Sequence, residues 1–449
     1  MLKYYGTIAH TDVGFRNQDV DSLNMKNAFA MKNFNLYHNL SWKEKLGNGW
    51  RVSTGVSYTN NRDKMKMEFQ DENNQKQVIA SDPLYANKNF DLHLKGNYAN
   101  AKIVLEKRLG GLTSIRFGSE YNHSSEKSAY TQYDGITYNQ ILKENILAGF
   151  AETDIYLTNN LAAKIGARAE HSQMLDQWNL APRLSLAYKF EDNSQASFAF
   201  GNYYQSPENK YLPSFNALHF SRSTHYIAQY QKISKDYTFR TEIFYKEYDD
   251  LLKTSGNGLG AINNNGFGDA KGIELFWRDK KTVKNVDYWV SYSFLDTKRD
   301  FLNYPFAIEP SFAAKHTASL VIKKFVLPIK TQFNASYTIA TGRPYYNMVY
   351  NDVQNKVTII NEGRTKNYND LSLSVNYLPS IGKQNAKAFS VFVLSVSNVL
   401  GFENVYNYNF SANGQNKVAV TPPAKRFLYV GYFVSLGIDR TQDAINNNL

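Results

Sequence analysis

The sequence predicts an all-β chain, a transmembrane antiparallel up-and-down β-barrel with about 18 strands present. Three observations lead there. Apolar and polar residues alternate with period two in run after run, and no helical stripe of period 3.6 competes. The connections alternate between long and short, as in hairpins standing across a membrane with short turns on the periplasmic side. Many runs reach ten or more residues, longer than the roughly 5 to 6 of soluble sheets and suited to tilted strands crossing about 25 Å of apolar band.

In chain order, strands are read near 1–9, 29–43, 49–60, 89–107, 112–122 and 141–157. Near 160–171, Leu161, Ile165 and Ala167 oppose Lys164, Arg168 and Glu170. Near 179–190, Leu180, Pro182, Leu184, Leu186, Tyr188 and Phe190 share one face, with Arg183, Ser185 and Lys189 on the other. Strands follow near 194–204, 223–232, 236–252 and 270–279. Near 285–297, Val286, Tyr288, Val290, Tyr292 and Phe294 oppose Asp287, Ser291 and Ser293. After 314–325 and 330–340, the run 367–378 sets Leu371, Leu373, Val375 and Tyr377 against Ser372, Ser374 and Asn376. Runs at 387–398 and 425–438 complete the set.

Long loops are read near 10–28, 61–88, 123–140, 205–222, 253–269, 298–313, 341–366 and 399–424. Tight turns between them carry Gly47-Asn48-Gly49, Gly110-Gly111, Asn159-Asn160, Glu191-Asp192-Asn193 and Ser234-Lys235-Asp236. A soluble sandwich or propeller would also supply many strands. Loop alternation, strand length and the crowding of Tyr, Phe and Trp at strand ends favour the barrel, since such rings settle at the head-group level. Only a closed barrel satisfies strand backbones in hydrocarbon.

Composition agrees. The 449 residues include 33 Tyr and 28 Phe, so there is ample apolar surface to bury. No stretch approaches the roughly 20 apolar residues of a membrane-spanning helix. The absence of Cys excludes disulfide scaffolds, thiolate catalysis and Cys-ligated metal sites. Mean hydropathy is −0.50, as expected when half of each strand faces a watery interior. A net charge of +11 suits nucleic acid or anionic lipid head groups, and the barrel reading assigns it to lipid, with no nucleic-acid partner. The start, Met1 to Gly6, has no apolar run of a secretory signal. The expectation is therefore a chain that stays in the cell or one that is not the whole precursor. Residues 1–440 are read as barrel and 441–449 as a polar tail.

Several segments resemble the C-terminal barrel portion of TonB-dependent outer-membrane receptors, particularly the Bacteroidetes type. The run Asn265-Gly266-Phe267-Gly268-Asp269-Ala270-Lys271-Gly272-Ile273-Glu274-Leu275 is the most specific. Phe239 to Lys246 with Tyr248 and Leu251-Leu252 resembles the preceding strand, and Asn179 to Leu184 an (Ala or Ser)-Pro-Arg strand opening. Tyr337 with Thr341 to Tyr345, Ser395 to Leu400 with Asn404 to Tyr406, and Arg426 to Leu436 follow in family order. The resemblance implies a 22-stranded barrel, a plug domain and a TonB-binding box. By that measure about four strands, the signal, the plug and the box are missing, and the barrel is a partial one in the cell outer membrane. It implies partners too: outer-membrane lipid and lipopolysaccharide, a small-molecule or glycan solute, and the TonB complex through the absent plug.

No cofactor, metal site or catalytic residue is predicted. The Gly256, Gly258, Gly260, Gly266 and Gly268 run precedes no helix, unlike a phosphate-cradling loop. Met65 and Met67 alternate with Lys64 and Lys66, as in a segment with one apolar and one charged side. Candidate ligand-binding residues in outer loops are Tyr203, Tyr204, Tyr211, His219, His225, Arg343, Tyr345 and Tyr346. Their rings can stack on sugars or aromatic ligands, or serve as an interfacial belt. Ser221 and Ser223 beside His219 and His225 raise an enzymatic reading that lacks an activating third group. Arg240 with Glu242, and Arg278 with Glu274, are expected as charge pairs on the lumen wall. The main functional reading is a receptor for TonB-dependent uptake of a scarce solute, for example a siderophore, haem, cobalamin or a glycan. The alternative is a passive 18-stranded, porin-like channel. The two differ in closure, and a gap or a non-native seam is expected between the segments near residues 5 and 432.

Overall fold

The computed structural model describes residues 1–214, 218–254, 262–351, 353, 356–383 and 388–436. Its first nine strands are β1 (Leu2–Gln18), β2 (Lys26–Gly47), β3 (Trp50–Gln70), β4 (Phe90–Gly110), β5 (Thr113–Gln132), β6 (Thr137–Tyr156), β7 (Leu161–Ser172), β8 (Gln177–Lys189) and β9 (Ser194–Gln205). Next come β10 (Ser221–Ile233), β11 (Tyr237–Thr254), β12 (Ile262–Asp279), β13 (Val286–Asp300), β14 (His316–Val326) and β15 (Thr331–Ala340). The last are β16 (Pro344–Asn351), β17 (Lys356–Arg364), β18 (Tyr368–Tyr377), β19 (Ala388–Ser397), β20 (Asn407–Phe410), β21 (Lys417–Val420) and β22 (Phe427–Leu436).

Eighteen of these form one antiparallel meander in which each strand pairs with the next, and they correspond one for one to the 18 strands expected. The other four make two hairpins, β16–β17 and β20–β21, inside the loops expected at 341–366 and 399–424. Among the described residues β1 pairs only with β2 and β22 only with β19, so the sheet is open and the expected gap is present. The loops nearest the two edges nevertheless touch: Ala412 N donates to Asp21 Oδ1 at 2.7 Å and Asn416 Nδ2 to the Val20 carbonyl at 3.1 Å.

The short turns hold where expected, and their residues explain why. Gly47, Asn48 and Gly49 take φ of 88°, 46° and 77°, a run of left-handed backbone that glycine and asparagine tolerate. The long loops are shorter than expected because strands continue through them. β1 runs to Gln18, β3 to Gln70, and β5 turns into β6 within residues 133–136. Met65 and Met67 therefore lie in a strand, not a loop, opposite Leu92 and Phe90.

Which face is which follows from exposure. On β8 the large exposed apolar side chains are Trp178, Leu180, Leu184, Leu186 and Tyr188, all on one face. Arg183 and Ser185 occupy the other. A strongly apolar exposed face on strands this long is the lipid face, and the opposite face lines the lumen. The small fully apolar core, Phe325, Leu378 and Ile381 with Phe389 and Val391, sits at the short-turn end of β14, β18 and β19.

Candidate functional site

The lumen wall is held by charges that the alternating pattern places side by side. Arg116 on β5 reaches Glu106 on β4 at 3.1 Å and, on β6, Glu152 at 3.0 Å and Asp154 at 2.8 Å. Lys164 on β7 also reaches Asp154, at 3.2 Å. One level outward, Glu120 accepts from Lys102 at 3.3 Å and Arg168 at 3.2 Å. On β12 the pairing differs from expectation: Arg278 binds Asp287 of β13 at 2.8 and 2.5 Å, and Glu274 faces Glu242 across the ladder. Arg240 lies over the Phe276 ring at 5.7 Å instead of pairing with Glu242. In both cases the arginine meets a residue of the neighbouring strand instead of the one two or four along its own, a register effect invisible in one strand's sequence.

Beside this ladder lies a cleft of about 530 Å³ whose lining includes Lys102, Arg168, Arg183 and Tyr203. Two of the expected site residues meet at its outer edge. The Arg183 guanidinium lies 4.9 Å from the Tyr203 ring, which packs on the His225 ring at 4.5 Å. His225 Nε2 is 2.8 Å from Ser223 Oγ. Among the described residues no carboxylate completes that Ser–His pair. His219 lies apart, with Nε2 3.4 Å from Asp250 Oδ1. Tyr204 follows Tyr203 on the strand and so takes the opposite face, edge-on to Phe220 at 6.4 Å. Tyr211 stands on a 3-10 turn (Asn209–Ser214) under the Lys210 ammonium at 4.7 Å. The candidates Tyr203, Tyr204 and Tyr211 thus stand in three separate environments.

The other three expected residues fall in one place, the roof made by the two outer hairpins. The Tyr345 ring meets Tyr408 edge-on at 4.8 Å, and Lys417 Nζ stands 5.0 Å from the first ring and 4.4 Å from the second. Arg343 lies 5.8 Å from the Tyr406 ring, which stacks on Tyr368 at 6.2 Å. Tyr346 Oη donates to the Glu309 carbonyl at 2.9 Å, and its ring is edge-on to Tyr304 at 6.0 Å. Burial, with the nearby Glu309 charge, pushes the Tyr346 phenol up to about 12. Arg364 binds Glu309 at 2.5 Å, and Asn347 Nδ2 donates to the Gly414 carbonyl at 2.7 Å, tying one hairpin to the other. Sequence reading missed Tyr406, Tyr408 and Lys417, since a long polar loop gives no period to place them. Gly256, Gly258 and Gly260 lie outside the described residues, as does the tail 441–449.

The most specific sequence run has a steric cause. A Cβ on Gly272 would stand 2.2 Å from the Phe294 carbonyl oxygen and 2.6 Å from the Phe244 ring, directly opposite on β11. Gly266 and Gly268 are closed in by backbone oxygens at 2.5 Å.

A family model described as TonB dependent receptor-like, beta-barrel matches residues 3–399. Among solved structures, the outer membrane transporter YddB from Escherichia coli is similar at 13% identity with a TM-score of 0.69, covering 97% of this chain and 66% of that one. The copper transporter OprC matches at 11% identity and 0.67, covering 97% of this chain and 75% of that one. The ferric citrate transporter FecA, unliganded, matches at 12% and 0.64, covering 97% and 70%. At these identities the likeness is one of fold. No curated protein matches.

Proposed function

The chain belongs to the TonB-dependent receptor family, as its outer-membrane β-barrel, and from that premise we propose that it forms the wall and roof of a receptor for uptake of a scarce solute. One observation carries the reading furthest: the sheet is open, with β1 and β22 unpaired to each other, so these 18 strands do not make a self-contained pore. That disfavours the porin-like alternative, which needs closure. The solute is met first by the roof, where Arg343, Tyr345, Tyr346, Tyr408 and Lys417 offer rings and cations, and then by Arg183, Tyr203 and His225 on the wall. Rings that stack and cations that attract anions suit a siderophore, a glycan or another polar ligand with flat or charged groups. The Bacteroidetes type rests on the Asn265–Leu275 run, and engagement of TonB through a plug belongs to the same proposal. The family is one of receptors rather than enzymes, and among the described residues no carboxylate orients the Ser223–His225 pair.

Growth of a deletion strain on single sources of limiting solutes, with and without the intact gene, tests this reading. Rescue on one source, lost when TonB is also deleted, is the expected result. Rescue that persists without TonB, or steady ohmic conductance from this chain in planar bilayers, would overturn it in favour of a passive channel.

A further inference from the structure

Three of the chain's seven methionines meet on the lumen side, at the outer ends of β2 and β3. Met31 lies directly opposite Met65, and Met67 is the next residue on the same face of β3, diagonal to Met31. Opposite residues in such a pair have Cβ atoms about 5 Å apart and diagonal ones about 7 Å, within reach of long side chains. Three thioethers can therefore converge on one point. The face follows from alternation: Val56 and Tyr58 of β3 are exposed toward lipid, so Met65 and Met67, at odd positions, look inward. Both are half-buried, as is Met31, whereas Lys64 and Lys66 are exposed on the other face.

The immediate neighbours form an apolar rim. Phe29 of β2 stands opposite Met67, and on β4 Phe90 and Leu92 stand opposite Met67 and Met65. None of these neighbours is a cation, and none offers nitrogen or oxygen from its side chain. Leucine would fill the space as well, as Leu92 does beside Met65; only a thioether adds a polarizable donor.

A second observation points to a charged guest. On the same inward face of β3, Asp63 precedes Met65 and lies opposite Asn33, whose amide donates to it. Farther round the wall, Glu106, Glu120, Glu152 and Asp154 all have cationic partners. Asp63 is half-buried and has no cationic partner among the described residues, since Arg62 and Lys64 beside it in sequence are exposed on the opposite face. A single uncompensated carboxylate thus adjoins three neutral sulfurs.

We propose that Met31, Met65 and Met67 form a trigonal binding site for copper(I), with Asp63 supplying the balancing charge. Thioether sulfur is soft and uncharged, which selects copper(I) over zinc and harder divalent ions. One carboxylate matches one positive charge. The protein neither oxidises nor reduces the ion, which enters and leaves as copper(I). The site rests on the inward orientation of β2 and β3 and not on TonB-driven uptake or on the solute carried, so its failure would leave that reading standing.

The test uses the intact protein extracted from outer membranes in mild detergent. It is titrated anaerobically with copper(I) against a chromogenic copper(I) chelator, and separately with silver(I), a soft ion of the same charge. The variants are the triple Met31→Leu, Met65→Leu, Met67→Leu, each of its single changes, Asp63→Asn, and the control pair Met174→Leu, Met348→Leu. The expected result is one ion per wild-type chain, with sulfur as its neighbour in X-ray absorption. Affinity should fall at least about hundredfold in the triple and about tenfold in Asp63→Asn, and should hold in the control pair. Heat-modified gel migration reports folding, and leucine conserves volume closely enough that the triple should migrate as wild type. Should the triple misfold, the single changes decide, each weakening binding about tenfold or more. Unchanged binding in the triple or the singles, equal loss in the control pair, or zinc displacing copper(I) at matching concentration would each overturn the proposal.

Discussion

Arg183, Tyr203 and His225 stand on β8, β9 and β10, each laddered on both edges, whereas Tyr345 and Tyr346, with Arg343 just before them, belong to a hairpin whose strands among the described residues pair only with each other. A two-stranded hairpin is marginal in water. The roof therefore depends on side-chain ties: Arg364 to Glu309, Asn347 to the Gly414 carbonyl, and Tyr345 against Tyr408. The wall is a preorganised surface whose geometry the backbone sets; the roof is an assembly of contacts that a solute can rearrange. First capture and final orientation are different tasks, and the two constructions suit them in that order.

The sharpest way to break this contrast is to damage the wall without touching the roof. Gly272→Val would drive side-chain atoms into the Phe294 carbonyl and the Phe244 ring, and overpacking of this kind costs about 3 kcal/mol. The expected outcome is a lower unfolding midpoint for the barrel in detergent, followed by gel migration. If Val is accommodated with no shift, the wall is not the rigid partner described above.

A complementary change removes a roof tie. Tyr345→Ala deletes the ring that meets Tyr408 and Lys417 and should loosen the two hairpins by about 1–2 kcal/mol. Faster cleavage within residues 344–364 by external protease on whole cells is expected, with the barrel midpoint unchanged. A shift in the barrel midpoint instead would mean that roof and wall unfold together. Smaller still is Tyr203→Ala, which removes a ring from between Arg183 and His225 at a cost of about 0.5–1 kcal/mol. It should alter neither protease sensitivity nor heat resistance measurably, while weakening solute binding several-fold in a radiolabelled uptake assay. Protease sensitivity rising in this variant would show that the two regions are coupled.

What the sequence made legible divides along the same line. Segments such as Leu180–Phe190 declare themselves because one face meets lipid and the other water, and every strand of the main sheet was found that way. Above the apolar band neither face needs to be apolar throughout, period two is brief where it survives, as at Lys64 to Met67, and the extensions His10–Gln18, Asn61–Gln70 and His123–Gln132 read as loop. Register lies beyond one sequence altogether. Arg278 was matched to Glu274 by spacing, but β13 brings Asp287 within hydrogen-bonding distance, at 2.8 Å. Of the expected site residues, Arg343, Tyr345 and Tyr346 are legible in one stretch of sequence, while their partners Tyr406, Tyr408 and Tyr304 come from other loops that only the fold brings near.

The smallest effect expected is a titration. Tyr346 donates its phenol proton to the Glu309 carbonyl, and burial raises its pKa from the ordinary 10 to about 12. A raised value means that the folded roof holds the proton more tightly than the unfolded chain does. The stability linked to it is complete below pH 10 and is lost as pH rises from there through about 12. Near-ultraviolet absorbance of the wild type minus Tyr346→Phe should isolate this one phenol among the 33 tyrosines, titrating well above the ordinary 10. Protease sensitivity of residues 344–364 should climb over the same window in the wild type, starting from a slightly higher level in Tyr346→Phe, which lacks the hydrogen bond. A phenol titrating at the ordinary value would place Tyr346 in water and leave the roof without one of the ties that distinguish it from the wall.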